Sequence, residues 1–308
     1  SPSVTMAITA LGRELKAQGK DILSFSAGEP DFDTPQIVKD AAIKAINDGQ
    51  TKYTAVEGII ATKQAIINKL KKDHGLEYKL DGIVISNGAK HSLFNLFQVL
   101  IEKGDEVIIP APYWVTYPEQ VKFSDGIPVF IDTDDSTEFK ITPEQLKAVI
   151  TPKTKVLLLN TPSNPTGSVY TKEELTALGK VLEGTDILVF SDEMYEKIIY
   201  NGTKFTAAAE VSEDMYNRTV TINGLSKAVA MTGWRFGYIA TPNVALAKAL
   251  TKLQGQVTSN VNTMTQYAAI PALEGEADKD IEMMRIEFEK RKNIAVKSFN
   301  EIKGLSTI

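Results

Sequence analysis

A chain of 308 residues with 43% hydrophobic content can bury a large core, and its length suggests one large domain with a smaller one. Its net charge of −5 argues against a nucleic-acid partner, and its lack of cysteine excludes disulfides, cysteine-zinc sites and thiol catalysis. No apolar run is long enough for a membrane span and no signal peptide is visible, so we expect a cytosolic protein without a membrane partner.

Helices and loops are predicted for the first part of the chain. Apolar spacing predicts helices over residues 3–19, 35–47 and 62–74, with a short strand and a turn-rich loop between the first two. Gly28 in this loop could let the backbone approach a ligand closely, although turn formation alone explains the loop equally well. Tyr53 lies in the loop between the second and third helices, where packing is its simpler interpretation.

From residue 83 onward, seven short apolar strands alternate with helices. The predicted strands are IVIS, EVIIP, IPVFI, VLLL, ILVFS, TVTI and FGYIA, which begin at residues 83, 106, 127, 156, 187, 219 and 236. Such alternation is typical of an α/β fold with a mostly parallel sheet and helices on both faces. Ligands in this architecture lie beyond the carboxyl ends of the strands, so the residues that follow each strand are the candidate site residues.

The segments after four of these strands carry candidate binding residues. Gly88 and Ala89 open a helix whose first N–H groups could bind an anion, although an ordinary helical turn is the alternative. Trp114 could stack on a flat ring, although tryptophan more commonly packs in a core. Asn164 offers an amide in a rigid turn. Asp192 follows an apolar strand, where an unpaired carboxylate would be costly, so a protonated pyridine nitrogen would be a suitable partner.

The stretch from residue 219 to residue 240 reads TVTINGLSKAVAMTGWRFGYIA. A strand, a polar loop and a second strand would hold Lys227 at a fixed point, with Arg235 at the start of the second strand. An amine placed to form a Schiff base beside an arginine placed for a phosphate meets the needs of a pyridoxal phosphate site.

These motifs together resemble the class I aminotransferases, which are fold-type I pyridoxal 5'-phosphate enzymes, and among them the prokaryotic aspartate aminotransferase subgroup. The matching segments are AGEPDFDTP, TKYTAVEG, SNGAKHSLFNLFQ, PYWVTYPE, NTPSNPTG, SDEMYE and NGLSKAVAMTGWRFGY, in this order. The resemblance implies a large cofactor-binding domain over residues 35–275. It also implies a small α/β domain formed by residues 1–34 and 276–308, truncated at its C-terminal end.

The resemblance also implies how the cofactor is held. Lys227 would bind it covalently and move the substrate Cα proton, and Asp192 would keep the ring nitrogen protonated. Tyr195 and Asn164 would contact the ring's phenolic oxygen, and Trp114 would stack on the ring.

The phosphate and the substrate would be bound by a further set of residues. Gly88, Ala89 and Arg235 would hold the phosphate, together with Tyr53 from a neighbouring subunit, which makes a homodimer the expected assembly. Gly28, Lys90, Trp114 and Asn164 would contact the substrate. Lys90 would receive a distal carboxylate, with a second phosphate-side lysine or a surface lysine as the alternative.

The expected reaction transfers the amino group of aspartate to 2-oxoglutarate, giving oxaloacetate and glutamate. The alternatives are an aspartate/prephenate aminotransferase, another fold-type I enzyme such as a lyase or decarboxylase, and an inactive cofactor-binding form. The inactive form is an alternative because no arginine here sits in the motif that clamps the substrate α-carboxylate in the family. An aminotransferase-like sensor of a transcription regulator is disfavoured, because residues 1–34 are too short for a DNA-binding module.

Overall fold

The computed structural model describes residues 4–23, 25 and 28–307, and within them seven strands form one sheet. The strands are β1 (Ile83–Ser86), β2 (Glu106–Ala111), β3 (Ile127–Asp132), β4 (Thr154–Asn160), β5 (Leu188–Asp192), β6 (Thr219–Gly224) and β7 (Gly237–Ala240). Their order is β1-β7-β6-β5-β4-β2-β3. Only β7 runs antiparallel to its neighbours in this sheet, so the predicted mostly parallel seven-stranded α/β sheet is confirmed.

Helices cover both faces of the sheet in the described part of the chain. They are α1 (Val4–Ala17), α2 (Gln36–Asn47), α3 (Ile60–His74), α4 (Ala89–Leu100), α5 (Thr116–Phe123), α6 (Pro143–Val149), α7 (Lys172–Leu182), α8 (Glu213–Arg218), α9 (Val244–Val257), α10 (Thr263–Leu273) and α11 (Asp278–Asn300). Alternate strand residues face opposite sides. Phe190 and Ile222 pack with α4 and α9, whereas Val189 packs with α7 and Tyr238 packs with α3 and α10 on the other face.

The segment between α1 and α2 differs from its prediction. A short strand was expected there, but residues 21–23 and 25 lie in no strand, and residues 24, 26 and 27 lie outside the described residues. A strand needs a hydrogen-bonded neighbour, and the described part of the sheet places none beside this segment. Among the described helices, none has both the length and the apolar composition that crossing a membrane requires.

Candidate active site

The carboxyl ends of the parallel strands meet at one edge of the sheet. Asn160 of β4 is paired with Asp192 of β5, and Asp192 is paired with Ile222 of β6. Because β7 and β1 are antiparallel to each other, the end of β1 and the start of β7 lie at the same edge, where Ser86 is paired with Gly237. The segments that carry the predicted site residues after β1, β4, β5 and β6 therefore start from one edge.

Lys227 lies in the loop between β6 and β7 and is half-buried. Its Nζ donates a hydrogen bond to the Gly28 carbonyl and lies 5.9 Å from the centroid of the Tyr195 ring. Burial lowers the pKa of Lys227, Glu29 opposes this shift, and Arg235 lowers the pKa further. A larger share of neutral amine makes this lysine a better nucleophile and base at neutral pH.

Asp192, the last residue of β5, is only 5% exposed. The Tyr117 hydroxyl donates to its Oδ2 at 2.8 Å, and the Met194 N–H donates to its Oδ1 at 3.3 Å. Burial raises the pKa of Asp192 to about 6 in spite of these two donors. Within the described residues no cation pairs with this carboxylate, so the site suits a cationic N–H group on a ligand.

Tyr195 and Asn164 form a polar group beside Asp192. Asn164 Nδ2 lies 3.5 Å from the Tyr195 hydroxyl, and the Asn164 N–H donates to Asn160 Oδ1 at 2.7 Å. Asn160 Nδ2 in turn donates to the Asp192 carbonyl at 3.0 Å. Burial and the charge of Asp192 raise the pKa of Tyr195 to about 12, so its hydroxyl is a donor at neutral pH.

Trp114 stands between the buried site and a surface cation. Its ring lies 5.3 Å from the Tyr117 ring at 86°, and Lys90 Nζ lies 4.7 Å from the Trp114 centroid. Partial burial and Arg235 lower the pKa of Lys90. Because Tyr117 also bonds Asp192, these contacts join the tryptophan to the carboxylate.

Arg235 lies against Gly88 at the start of α4. Arg235 has the left-handed φ of 57°, and its Nη1 donates to the Thr232 carbonyl at 2.9 Å. Gly88 has φ of 86°, and a Cβ there would lie 2.5 Å from Arg235 Nη2. The first N–H groups of a helix, here those of Ala89 and the next residue, have no acceptor within the helix. A guanidinium beside such N–H groups is suited to a phosphate.

An open groove of about 620 Å³ lies beside Arg235. Its lining includes Asn87, Trp234, Arg235, Asn262 and Thr265. The groove leaves room for a phosphate-bearing ligand at the guanidinium.

Tyr53 and Gly28 are placed differently from the other predicted site residues. Tyr53 is 91% exposed, on a loop whose Lys52 carbonyl accepts a hydrogen bond from Thr263 at 2.7 Å. Gly28 reaches the site only through the carbonyl that Lys227 contacts. Apart from its chain neighbours, no described atom would lie within 4 Å of a Cβ on Gly28, so the space beside Gly28 is open.

Three arginines other than Arg235 are paired with carboxylates. Arg218 bonds Asp214, and Arg285 bonds two glutamates of its own helix. Arg291 pairs with Asp31 at 2.8 Å.

Sequence analysis missed Tyr117 and Asn160, which contact Asp192. A weak signal existed for Tyr117, because it lies three residues after Trp114 and therefore close to it in a helical turn. Asn160 ends an apolar strand in the way that Asp192 does, and this position could have identified it.

Known proteins similar to this chain in sequence and in structure include several named aminotransferases. The model of the family described as aminotransferase class I and II matches residues 20–308. An aspartate aminotransferase of Geobacillus stearothermophilus is 51% identical over 308 residues, which are 100% of this chain and 78% of that protein. An aspartate/prephenate aminotransferase of Nitrosomonas europaea is 50% identical over 305 residues, which are 99% of this chain and 76% of that protein.

Two solved structures agree with these relatives. The aspartate aminotransferase from Rhizobium meliloti has a TM-score of 0.95 at 42% identity, covering 99% of this chain and 76% of that chain. The Thermus thermophilus enzyme with maleate has a TM-score of 0.94 at 39% identity, covering 98% of this chain and 78% of that chain. Sequence and structure give the same result, and the chain belongs to the class I and II aminotransferase family.

Proposed function

We propose that this chain is a pyridoxal 5'-phosphate-dependent aspartate aminotransferase that uses 2-oxoglutarate as amino acceptor. The observation that carries the proposal is the placement of Lys227, with its lowered pKa, on the strand-end edge that also holds the buried Asp192. The relatives named above act on aspartate by name, which supports the choice of substrate.

The residues present fit this cofactor. A buried carboxylate without a cationic partner among the described residues suits a protonated ring nitrogen, and the cradle of Gly88 and Arg235 suits a phosphate. When bound, pyridoxal phosphate supplies an electrophilic aldehyde and a ring that withdraws electrons from the substrate Cα.

Each site residue has a defined task in this proposal. Lys227 would hold the cofactor and, once released, would take the proton from the Cα of the amino donor and, in the second half of the reaction, give a proton to the Cα of the amino acceptor. Asp192 holds the proton on the ring nitrogen. Tyr195 and Asn164 would hydrogen-bond the phenolic oxygen of the cofactor, and Trp114 would stack on its ring.

Lys90 and Gly28 are the proposed substrate contacts. The ammonium of Lys90 lies beside Trp114 at the exposed side of the site, where it can receive a distal carboxylate. Aspartate and maleate are both four-carbon dicarboxylates, and the Thermus thermophilus relative was solved with maleate. Gly28 offers backbone atoms next to Lys227, where they would contact the α-carboxylate of the substrate.

Turnover of aspartate with 2-oxoglutarate tests this function directly. We expect oxaloacetate and glutamate to form in equal amounts once the protein is loaded with pyridoxal phosphate. Prephenate is the second amino acceptor to test, because a relative of 50% identity is named for both substrates. Loading without turnover of either acceptor would contradict the proposal and favour an inactive cofactor-binding form. Release of products without the pyridoxamine form of the cofactor would indicate a lyase.

Replacing Arg235 with lysine is expected to weaken pyridoxal phosphate binding by roughly ten- to a hundredfold, because lysine cannot make the bidentate contact of a guanidinium. Fluorescence titration of the apoprotein with the cofactor measures the change in dissociation constant. Arg13→Lys on α1 is the matched control, since its side chain is exposed. Equal affinity in both variants would remove Arg235 from the phosphate site.

Two segments distant in sequence support the proposed small domain of residues 1–34 and 276–308. Arg291 of α11 pairs with Asp31, and its guanidinium lies 5.4 Å from the Phe32 ring centroid. The Phe32 and Phe288 rings meet edge to face at 5.4 Å. The remaining residues, 35–275, would form the large domain that carries the sheet.

We also propose a homodimer in which Tyr53 reaches the phosphate of the partner subunit. The proposal is supported by the 91% exposure of an aromatic side chain on a loop held by Thr263. Removing one hydrogen bond by Tyr53→Phe is expected to weaken cofactor binding about fivefold, at unchanged dimer content in sedimentation. Tyr216→Phe, which removes a hydroxyl bonded to the Glu77 carbonyl, is the control. A monomeric wild type would contradict this assembly.

A further inference from the structure

The turn after β5 presents its side chains alternately to two sides of the sheet. Asp192 contacts Tyr117 and Tyr195 contacts Asn164 on the side of the candidate site. Glu193 and Glu196 instead contact residues of the opposite face. The backbone makes this alternation possible, because the Glu196 N–H donates to the Glu193 carbonyl at 3.1 Å in a tight turn.

A cluster of buried and half-buried ionisable groups holds the opposite side of this turn. We call Lys69, Asp73, His74, Glu193 and Glu196 the ionic cluster. Glu196 is 8% exposed, and its carboxylate lies 2.5 Å from Lys69 Nζ and 2.9 Å from His74 Nε2. Lys69 also lies 3.3 Å from Asp73, in the next turn of α3.

Glu193 has its own set of contacts. It is fully buried and accepts hydrogen bonds from Ser191 Oγ at 2.7 Å and from the Ala208 N–H at 3.3 Å. The turn is therefore fixed by α3 through Glu196 and by the segment before α8 through Glu193.

The ionic cluster also lies close to the loop that carries Lys227, across a shared cavity. A small cavity of about 30 Å³ lies between them, lined by Lys69 and Glu196 on one side and by Leu225, Ala228 and Val229 on the other. The same buried charges therefore lie behind both the Tyr195 turn and the Lys227 loop.

We propose that Glu196, held by Lys69 and His74, is a positioning residue that fixes Tyr195 and Asp192 against the cofactor ring. Burying several charges is costly, and a buried carboxylate is stable only where its counter-charges are held in place. Because Lys69 and His74 hold the Glu196 carboxylate in place, the turn after β5 has little freedom to move. Tyr195 lies directly before Glu196 in the chain, so its hydroxyl position depends on this anchor. This inference rests on the proposed cofactor-dependent function.

The pH midpoint of the visible absorbance of the cofactor-loaded protein reports the position of Tyr195. A hydrogen bond donated by Tyr195 stabilises negative charge on the phenolic oxygen, and losing it makes that oxygen hold a neighbouring proton more tightly. Glu196→Gln keeps the shape of the side chain and removes its charge. We expect the midpoint to rise by about half a pH unit or more and the cofactor dissociation constant to rise about tenfold.

A double variant separates positioning from stability. Lys69→Met with Glu196→Gln removes both charges of the closest pair, so no single charge of that pair is left buried without its partner. We expect its melting temperature to recover toward the wild-type value while the raised midpoint remains. Glu289→Gln is the matched control, because Glu289 also pairs with a cation, Arg285, and accepts a backbone N–H, from Asn201.

The outcomes are distinguishable. Unchanged midpoints and dissociation constants in both cluster variants, with a lowered melting temperature alone, would overturn the positioning role and leave the proposed function intact. A wild-type protein that gains no visible absorbance with pyridoxal phosphate would overturn the proposed function and this inference together.

Discussion

Replacing Lys227 with alanine is expected to lower aspartate transamination at least about ten-thousandfold, because in the proposed function one amine both holds the cofactor and moves the Cα proton. The structure gives this lysine the properties the two tasks require. Burial lowers its pKa, and its Nζ lies beside the Tyr195 ring and the Gly28 carbonyl. Stopped-flow and steady-state assays with saturating cofactor measure the loss.

Two controls make this result specific for the position of Lys227. Lys248→Ala removes an exposed amine from α9 and should leave turnover unchanged. Lys227→Arg retains a cation at the site, but a guanidinium is always protonated and cannot act as the base, so it should be as inactive as the alanine variant. The visible absorbance of the loaded wild type should be absent from both Lys227 variants. Turnover within tenfold of wild type in Lys227→Ala would rule out Lys227 as the reactive amine.

The sheet and its strand-end residues could be predicted because the signals are local. Strands buried on both faces are short apolar runs, and β5 is one, with Asp192 at its last position. The parallel register then brings residues such as Asn160 and Asp192 together without further information.

Contacts that depend on tertiary packing could not be predicted in this way. Tyr117 is 75 residues from Asp192 in sequence, and the packing of α5 against the sheet beside β2 and β3 brings the two together. Lys69 belongs to a helix on which a lysine would be expected to face water, yet it is 8% exposed because Glu196 supplies its counter-charge. Trp234 Nε1 donates to Thr34 Oγ1 at 3.0 Å, although the two residues are 200 apart in sequence. This contact too depends on tertiary packing and could not be predicted from the sequence.

The Asp192→Asn variant is expected to lose about a thousandfold in turnover, since breaking a buried charge pair costs about 3–5 kcal/mol. An amide cannot hold the proton on the ring nitrogen by charge, and the ring then withdraws electrons less strongly from the substrate Cα. Single-turnover kinetics with aspartate measure the loss in the chemical step. Glu213→Gln, at the exposed start of α8, is the control for removing a carboxylate.

The same substitution should make the apoprotein more stable at pH 8. The pKa of Asp192 is raised from 3.8 to about 6 in the folded chain, so its contribution to stability is complete below pH 3.8 and is lost as the pH rises through about 6. Asparagine carries no charge to desolvate, so the apo variant should gain on the order of 3 kcal/mol over wild type at pH 8 and little at pH 3.5. Loading with pyridoxal phosphate should reverse this order, because the ring nitrogen then pairs with the carboxylate of the wild type only.

Urea unfolding at both pH values, with and without cofactor, tests this reversal. A variant that is less stable than wild type in the apo form at pH 8 would show that Asp192 is already paired within the protein.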